Sequence, residues 1–540
     1  MSTTFDHIVI GGGSAGCVAA ARLVRDGGAK VLLLEAGHSH RHPLLDMPPG
    51  VFKLLKNGSK FFKTHSTTPQ EHLDGRVQEI PQGNVLGGGS SVNGQVYIRG
   101  RASDYDGWQE ALRGNNDGIG WGWKDVLPHF RGMESNSRFN NELHGTDGEL
   151  SVSDPGHIAD MARWYVQALQ QQGEPFNTDF NGPTQRGAGF FQFTYHQGQR
   201  ASAAHAFIGP LKGNPNLDVR LRAEVQRIII EDGRAVGVIY KDSKGTHEVL
   251  TNGEVILSAG ALVTPKILML SGIGPADHLA EHGIQIVQDH AGVGQNLSDH
   301  PDCSVVAKAN GKYGYFGQDR GWNMIRNGLQ FKLFGTGMIT TTGLEAAAFV
   351  NPSNPEAEPS LEAYCIPVLY LDDETLTRVG DGPGVSIQIV LLNPKSRGEV
   401  SLASANPSDM PLVSPNFLKE PEDMKTMIEG LRYFTQTMST APLADKIDRI
   451  VSPDQSDTSD EALAAHCRRV VKTNYHPSGT AKMGADGDPM AVLDSRLRVR
   501  GVAGLRVCDM SAAPTLISGN TNATAMMLGD RCAQLVMGRL

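Results

Sequence analysis

Six cysteines, at positions 17, 303, 365, 467, 508 and 532, are too scattered in 540 residues to form a C-x-x-C pair. That argues against a cysteine zinc site and a disulfide framework, and it suits a reducing compartment. No apolar run approaches the ~18–20 residues needed to span a bilayer. The opening stretch MSTTFDHIVI lacks the basic head and apolar stretch of a secretory signal. The expected location is therefore the cytoplasm. Long basic clusters are missing as well, and 58 acidic against 49 basic residues leave a net charge of −9. Neither nucleic acid nor an anionic membrane is expected as a partner. No repeat of fixed period is present. Hydrophobic residues at 39% and charged residues at 20% fit a globular chain long enough for a large core and more than one domain.

Glycine is in excess: 63 residues, or about 12% against a usual ~7%. They cluster in IGGGSAG, LGGGSSVNG and LSGIG rather than spreading as linkers. Clustered glycine marks places where backbone turns tightly or approaches a ligand closely.

The first cluster sits in a βαβ pattern. FDHIVI (5–10) reads as a buried strand, CVAAARLV as a helix, and KVLLLEAG as a second buried strand ending at Glu35. Gly11, Gly13 and Gly16 fill the G-x-G-x-x-G positions, and Glu35 follows Gly16 by 19 residues. This is the spacing of a dinucleotide site. Gly11 makes the turn, Gly13 admits a pyrophosphate, Gly16 lets helix pack on strand, and the acid accepts from ribose hydroxyls. The fingerprint alone does not separate FAD from NAD. It occurs once, and an enzyme pairing a flavin with NAD(P)H would usually carry two.

Two further segments decide the matter. GNVLGGGSSVNG (83–94) is a small-residue loop tied at both ends to apolar sequence. GALVTPKILMLSGIG (260–274) turns at Gly260–Ala261 and enters a helix near Pro265 that closes at Ser271–Gly272. They resemble the two signature patterns of the glucose–methanol–choline (GMC) oxidoreductases, the first from Gly83 to Asp106 and the second from Gly260 to Gly274. The resemblance runs on through HAGVGQNLSDH (290–300), NPKSRGEVSL (393–402), YHPSGTAKMG (475–484) and SGNTNATAMM (518–527). The texture is closest to choline-dehydrogenase-like and sorbose-dehydrogenase-like alcohol dehydrogenases.

The resemblance implies an α/β plus α+β fold. A discontinuous Rossmann-like FAD-binding domain would take residues 1–154, 201–300 and 461–540. A substrate domain on an antiparallel sheet would take 155–200 and 301–460. It implies that Ser14, Ala15, Glu35 and Ala36 hold the adenosine and diphosphate side, with Val225 reaching the adenine through its backbone. Val85, Gly87, Ser91, Asn93, Gly94 and Val96 would wrap the ribityl chain and ring. Asp509 and Thr521 would close the site. Gln82 and Asn84 stand where relatives often carry basic residues. Val92 stands where some relatives attach FAD through a histidine, so non-covalent FAD is expected.

Flavin oxidation of an alcohol needs a base for the hydroxyl proton, a donor for the oxygen, and hydride transfer to flavin N5. His476 matches the family's catalytic histidine and Asn520 a second hydrogen-bonding position; Asn522 is expected to support backbone geometry. The product is an aldehyde or ketone, and the electrons pass to oxygen, a quinone or another acceptor. The alternative within the fold is a hydroxynitrile-lyase-like enzyme without redox turnover. An NAD-dependent dehydrogenase and a dead-site flavoprotein are more distant rivals. Glu345 and His300 are expected to be structural, the first in the cavity roof and the second at a domain contact, and Cys508 to be packed. No metal site is expected. Choline is not favoured, because no anionic and aromatic cage is legible. The particular alcohol and the oligomeric state stay open.

Overall fold

The computed structural model describes residues 4–540 except 57 and 116. Its first large sheet begins as the sequence pattern requires, with strand Phe5–Ile10, helix Ser14–Arg25 and strand Val31–Glu35. Strands Leu217–Leu221, Val31–Glu35, Phe5–Ile10 and Gly245–Leu257 lie side by side and parallel, and Leu505–Val507 adds beyond the last. All five residues of Val31–Glu35 are buried, as a strand covered on both faces must be. Gly245–Leu257 has 13 residues and serves two partners. Its second half joins the parallel sheet, while its first half pairs antiparallel with Arg234–Asp242, which in turn pairs with Glu224–Glu231. Helix Asn522–Val536 packs on Ser14–Arg25 so closely that a Cβ on Gly529 would lie 2.4 Å from the Ala15 carbonyl.

The second large sheet is antiparallel over most of its width. Its order is Ile447–Ser452, Pro301–Ala309, Gly384–Leu391, Leu361–Ile366, Ala346–Val350, Gly187–Phe190 and Phe176–Asn177, with only the last pair parallel. Side chains alternate with period two. Leu361, Ala363 and Cys365 enter a core with Val385, Ile387, Ile389 and Val305. That core is capped by helices Asp160–Gln171 and Pro421–Met438 through Tyr165, Leu169, Leu431 and Phe434. The opposite set, including Glu362, Tyr364, Gln388 and Asp302, faces a large cavity. Strand Lys472–Thr473, in the C-terminal stretch, joins this second sheet beside Pro301–Asp302.

The signature segments fold locally as their residues suggest. Thr264–Leu270 is a helix with proline in its first turn, and Gly272 follows at φ +82°. No helix among the described residues is long and apolar enough to cross a membrane.

Candidate active site

A cavity of about 1270 Å³ is lined from both sheets. That exceeds the ~300–1,000 Å³ of ordinary small-molecule sites and has room for a large cofactor with a substrate. At one end stands the glycine fingerprint. A Cβ on Gly11 would lie 2.3 Å from the Ser258 carbonyl, and one on Gly16 2.0 Å from the Gly11 carbonyl. These two glycines permit packing of chain on chain. Gly13 is different: a Cβ there would meet nothing nearer than 4.0 Å, so it opens onto the cavity. Glu35 accepts from the Gly12 and Gly37 amides, both at 2.7 Å. Burial pushes its carboxyl up to about 7 against the pull of those two donors.

The first signature loop docks on this fingerprint, with Gly87 N–H donating to the Gly12 carbonyl at 2.6 Å. Ser91 Oγ donates to the Leu86 carbonyl at 2.7 Å, and Val85 packs among Leu45, Leu54 and Phe61. The cavity wall includes Gly11, Gly13, Ser14, Ala15, Glu35, Ala36, Asn93, Gly94, Val96, Val225, Asp509, Asn520, Thr521 and His476. Gly16, Val85, Gly87 and Ser91 lie behind that wall and hold the loops that form it. Gln82 and Asn84 line the cavity without charge, but Lys63, directly opposite Gln82 in the hairpin Phe62–Ser66/Glu79–Gly83, also lines it. Lys63 Nζ is 2.9 Å from Glu224. The cation missing at position 82 is thus supplied one strand away.

Beside the fingerprint, two helix N-termini meet. Ser14 Oγ donates to Asn522 Oδ1 at 2.8 Å, which joins the first turns of Ser14–Arg25 and Asn522–Val536. Both present unpaired amides and partial positive charge. Asp509 accepts from Gly260 N–H (2.9 Å) and Thr264 Oγ1 (2.7 Å), fixing the second signature turn. Asn520 Oδ1 and Asn522 Nδ2 are buried and have no partner within the protein. An open glycine at a helix N-terminus, an acid at the strand end and orphaned amide atoms fit a dinucleotide with a heteroatom-rich ring, such as FAD.

His476 is buried, and its position is dictated by backbone. Its N–H donates to Asp299 Oδ1 at 2.9 Å, and Thr473 Oγ1 donates to Asp299 Oδ2. Ser298 and Ser478 exchange two backbone bonds, of 2.8 and 3.0 Å. Gly479 then turns at φ +87°, where a Cβ would strike Asn296 at 2.7 Å.

The ring's protonation follows from its neighbours. His300 Nε2 lies 3.0 Å from the Leu392 carbonyl and 3.1 Å from the Ile517 carbonyl, so it donates. Burial pulls the His300 imidazole down to about 4, so the ring is neutral and its Nδ1 accepts. The atom 2.9 Å away is His476 Nδ1, which must therefore be the N–H. His476 is itself held well below the usual imidazole range, by burial first and His300 second. Its Nε2 keeps its lone pair on the cavity side, where it accepts a long, 3.4 Å bond from Asn520 Nδ2 that an alcohol hydroxyl can replace. His300 does bridge segments at a contact, as expected. Its bond to His476 was not legible, because nothing in SDHPD says which carbonyls the imidazole will meet.

Glu345 lies behind the wall, where its Oε1 accepts from Tyr315 and Thr341. Cys508 is buried, as are the other five cysteines, and all are free thiols. The described residues contain no cluster of histidine, cysteine and carboxylate groups able to hold a metal. Sequence reasoning missed the roof residues Asp302, Tyr364, Gln388 and Lys472, whose strands carry no motif.

Comparisons with known proteins agree with this geometry. The GMC oxidoreductase N-terminal model matches residues 5–302 and the C-terminal model residues 394–529. The chain is 40% identical to an alcohol dehydrogenase [acceptor] of Pseudomonas putida and 34% identical to an oxygen-dependent choline dehydrogenase of Brucella ovis, in each case over 99% of this chain and 96% of the relative. Among solved structures, a formate oxidase variant of Aspergillus oryzae studied for FAD modification superposes with a TM-score of 0.89 at 26% identity, covering 100% of this chain and 99% of the other. With both family models and full-length relatives in agreement with the cavity's fit to FAD, the chain belongs to the GMC oxidoreductase family, FAD enzymes that oxidise CH–OH donors.

Proposed function

We propose that this protein oxidises an alcohol to the aldehyde or ketone, with His476 as the base and Asn520 as the group that holds the alcohol oxygen. The observation that carries the roles is the tautomer chain from Leu392 and Ile517 through His300 to His476, which leaves the Nε2 lone pair beside Asn520 Nδ2. The substrate hydroxyl donates to Nε2 and gives up its proton there. The oxygen, gaining charge, accepts from Asn520 Nδ2 and from the new Nε2–H. Bound FAD supplies the hydride acceptor. It is held non-covalently, because Val92 offers no nucleophile, and by contacts from the wall residues named above. The stretches 1–154, 201–300 and 461–540 form the cofactor-binding part and the remainder the substrate part, except that Leu463, Cys467 and Val471 join the core of the second sheet and Lys472–Thr473 its edge. The cytoplasm is the compartment that six free cysteines suit best.

The roof bears on the substrate. Lys472 Nζ is 3.9 Å from Asp302 and 4.0 Å from the centre of the Tyr370 ring. Asp302 and the Tyr370 face already hold a cation of this chain, and Glu362, the other carboxyl on this face of the roof sheet, is pushed up to about 8 by burial and so stays protonated near neutral pH. We therefore expect an alcohol without a fixed positive charge. Anaerobic mixing with a panel of alcohols should bleach the flavin, which separates this reading from a lyase. Neutral 3,3-dimethylbutanol should do so faster than its charged isostere choline. His476→Ala should slow bleaching at saturating alcohol by roughly 100-fold or more. Equal rates in parent and variant would remove His476 from the mechanism.

A further inference from the structure

Helix Gly321–Phe334 meets the cavity on one side and exposes an apolar stripe on the other. Met324, Asn327 and Gly328 turn toward the cavity and line it. Trp322, Ile325, Leu329 and Leu333, spaced 3, 4 and 4 residues apart, share the opposite face. They are 71%, 49%, 50% and 66% exposed, and Phe334 at the helix end is 73% exposed. No other helix among the described residues carries so many large exposed apolar side chains. On the helical wheel Arg326 falls on one flank of this stripe and Lys332 on the other. The helix has no Asp or Glu. The nearest carboxylates to its start, Asp319 and Asp381, lie 3.7 and 3.5 Å from Arg320. A second short helix, Gly50–Lys56, lines the same cavity and exposes Phe52 and Leu55 beside Lys53.

We propose that this face docks on an anionic lipid surface, with the helix Gly321–Phe334 lying in the headgroup plane. An outward apolar stripe edged by cations on both sides is the pattern of an interfacial helix. The charge distribution selects lipid over a second copy of the chain. A copy carries a net charge of −9, but a self-complementary interface would bring the same two cations against each other with no carboxylate on the helix to meet them. Docking sets the rim of the substrate cavity against the bilayer, because the helix that bears the stripe also walls the cavity. The whole-chain charge argued against an anionic membrane. That total hides a helix that carries two cations and no carboxylate.

The inference goes beyond the alcohol-oxidation reading, and its readout does not depend on turnover. The test is sedimentation of the FAD-loaded protein with vesicles of phosphatidylglycerol and phosphatidylcholine in equal parts, against vesicles of phosphatidylcholine alone. The parent should sediment with the mixed vesicles, and added salt should weaken it. Arg326→Gln with Lys332→Gln should lower the partition by about 30-fold. Trp322→Ser with Leu333→Ser should abolish it. Neither pair lines the cavity, so turnover of a water-soluble alcohol with a soluble acceptor should stay at the parent's rate. A parent that stays in the supernatant with both vesicle types overturns the proposal. So does a parent that is dimeric without lipid while the Trp322→Ser, Leu333→Ser protein is monomeric, which would make a second copy the occupant. Failure of the parent to turn over any alcohol would sink the functional reading and leave the docking result standing.

Discussion

A single hydrogen bond sets the chemistry of His476. If His300 Nδ1 did not accept, the His476 proton would distribute between both ring nitrogens, and the base atom beside Asn520 would be blocked part of the time. His300→Ala should therefore slow flavin reduction by roughly 10- to 100-fold. Its pH profile should move too. The His476 imidazole is depressed by burial and by His300, so the free base persists below the usual ~6.5 and the parent's rate should be flat from there upward. Removing the neighbour and admitting water relieves both causes, and the acid limb should rise toward pH 6.5. His300→Gln, whose side-chain oxygen can accept, should restore part of the rate. An unmoved limb in His300→Ala would mean that His300 and its packing do not hold the His476 imidazole down, and an unslowed rate that the bond does not set the tautomer. Gly479 is a second critical residue. Alanine there would take a φ of +87° and press on Asn296 at 2.7 Å, at a cost of about 1–3 kcal/mol. Gly479→Ala should lower the thermal midpoint and the reduction rate together, since the same turn places His476.

Strand Leu361–Ile366 shows what one element does for the site. Its period-two pattern sends Leu361, Ala363 and Cys365 into the helix-capped core and leaves Glu362, Tyr364 and Ile366 on the cavity side. Glu362 pairs across to Val390, fully buried, with neither carboxylate oxygen partnered inside the protein. Burial alone pushes its carboxyl up to about 8. The folded state therefore holds a proton that the unfolded chain releases near the ordinary carboxyl value, and stability falls as pH rises from about 4.5 to about 8. Between pH 5 and 7 the loss is roughly 3 kcal/mol. Glu362→Gln should flatten that part of the stability–pH curve in chemical denaturation. A parallel, undiminished slope would show that Glu362 ionises freely in the folded state. Such an acid was not legible. The apolar run VLLLE reads as a buried strand because every residue agrees, whereas LEAYCI mixes a glutamate into an interior strand. Only the sheet register reveals which side that glutamate faces. The βαβ unit and the two signature turns were legible because each depends on residue types that few other structures require, whereas the His476–Asn520 pair, 44 residues apart, was legible only through the family resemblance.

At the scale of the molecule, the cavity is built from segments that are remote in sequence: the loops after the first two strands, the two signature turns, the roof sheet, and the turns around His476 and Asn520. The long closures between them are what the sequence could not display, since each pairing depends on sheet order rather than on local pattern. One consequence separates the glycines of the fingerprint. FAD that binds only the folded chain should stabilise it by about 2.7 kcal/mol at a hundredfold excess over Kd, and so raise the thermal midpoint as its concentration grows. Gly13 has extended backbone, and a side chain there would enter open cavity. Gly13→Val should therefore leave the midpoint without added FAD near that of the parent and abolish the FAD-dependent rise. Gly16→Ala places its Cβ 2.0 Å from the Gly11 carbonyl, a clash inside the protein that exists whether or not cofactor is present. It should lower the midpoint even without FAD. Thermal unfolding of the three proteins across an FAD titration reads both effects. If Gly13→Val keeps the full FAD-dependent rise, the diphosphate does not lie against that turn and the cofactor's orientation in the cavity must be redrawn.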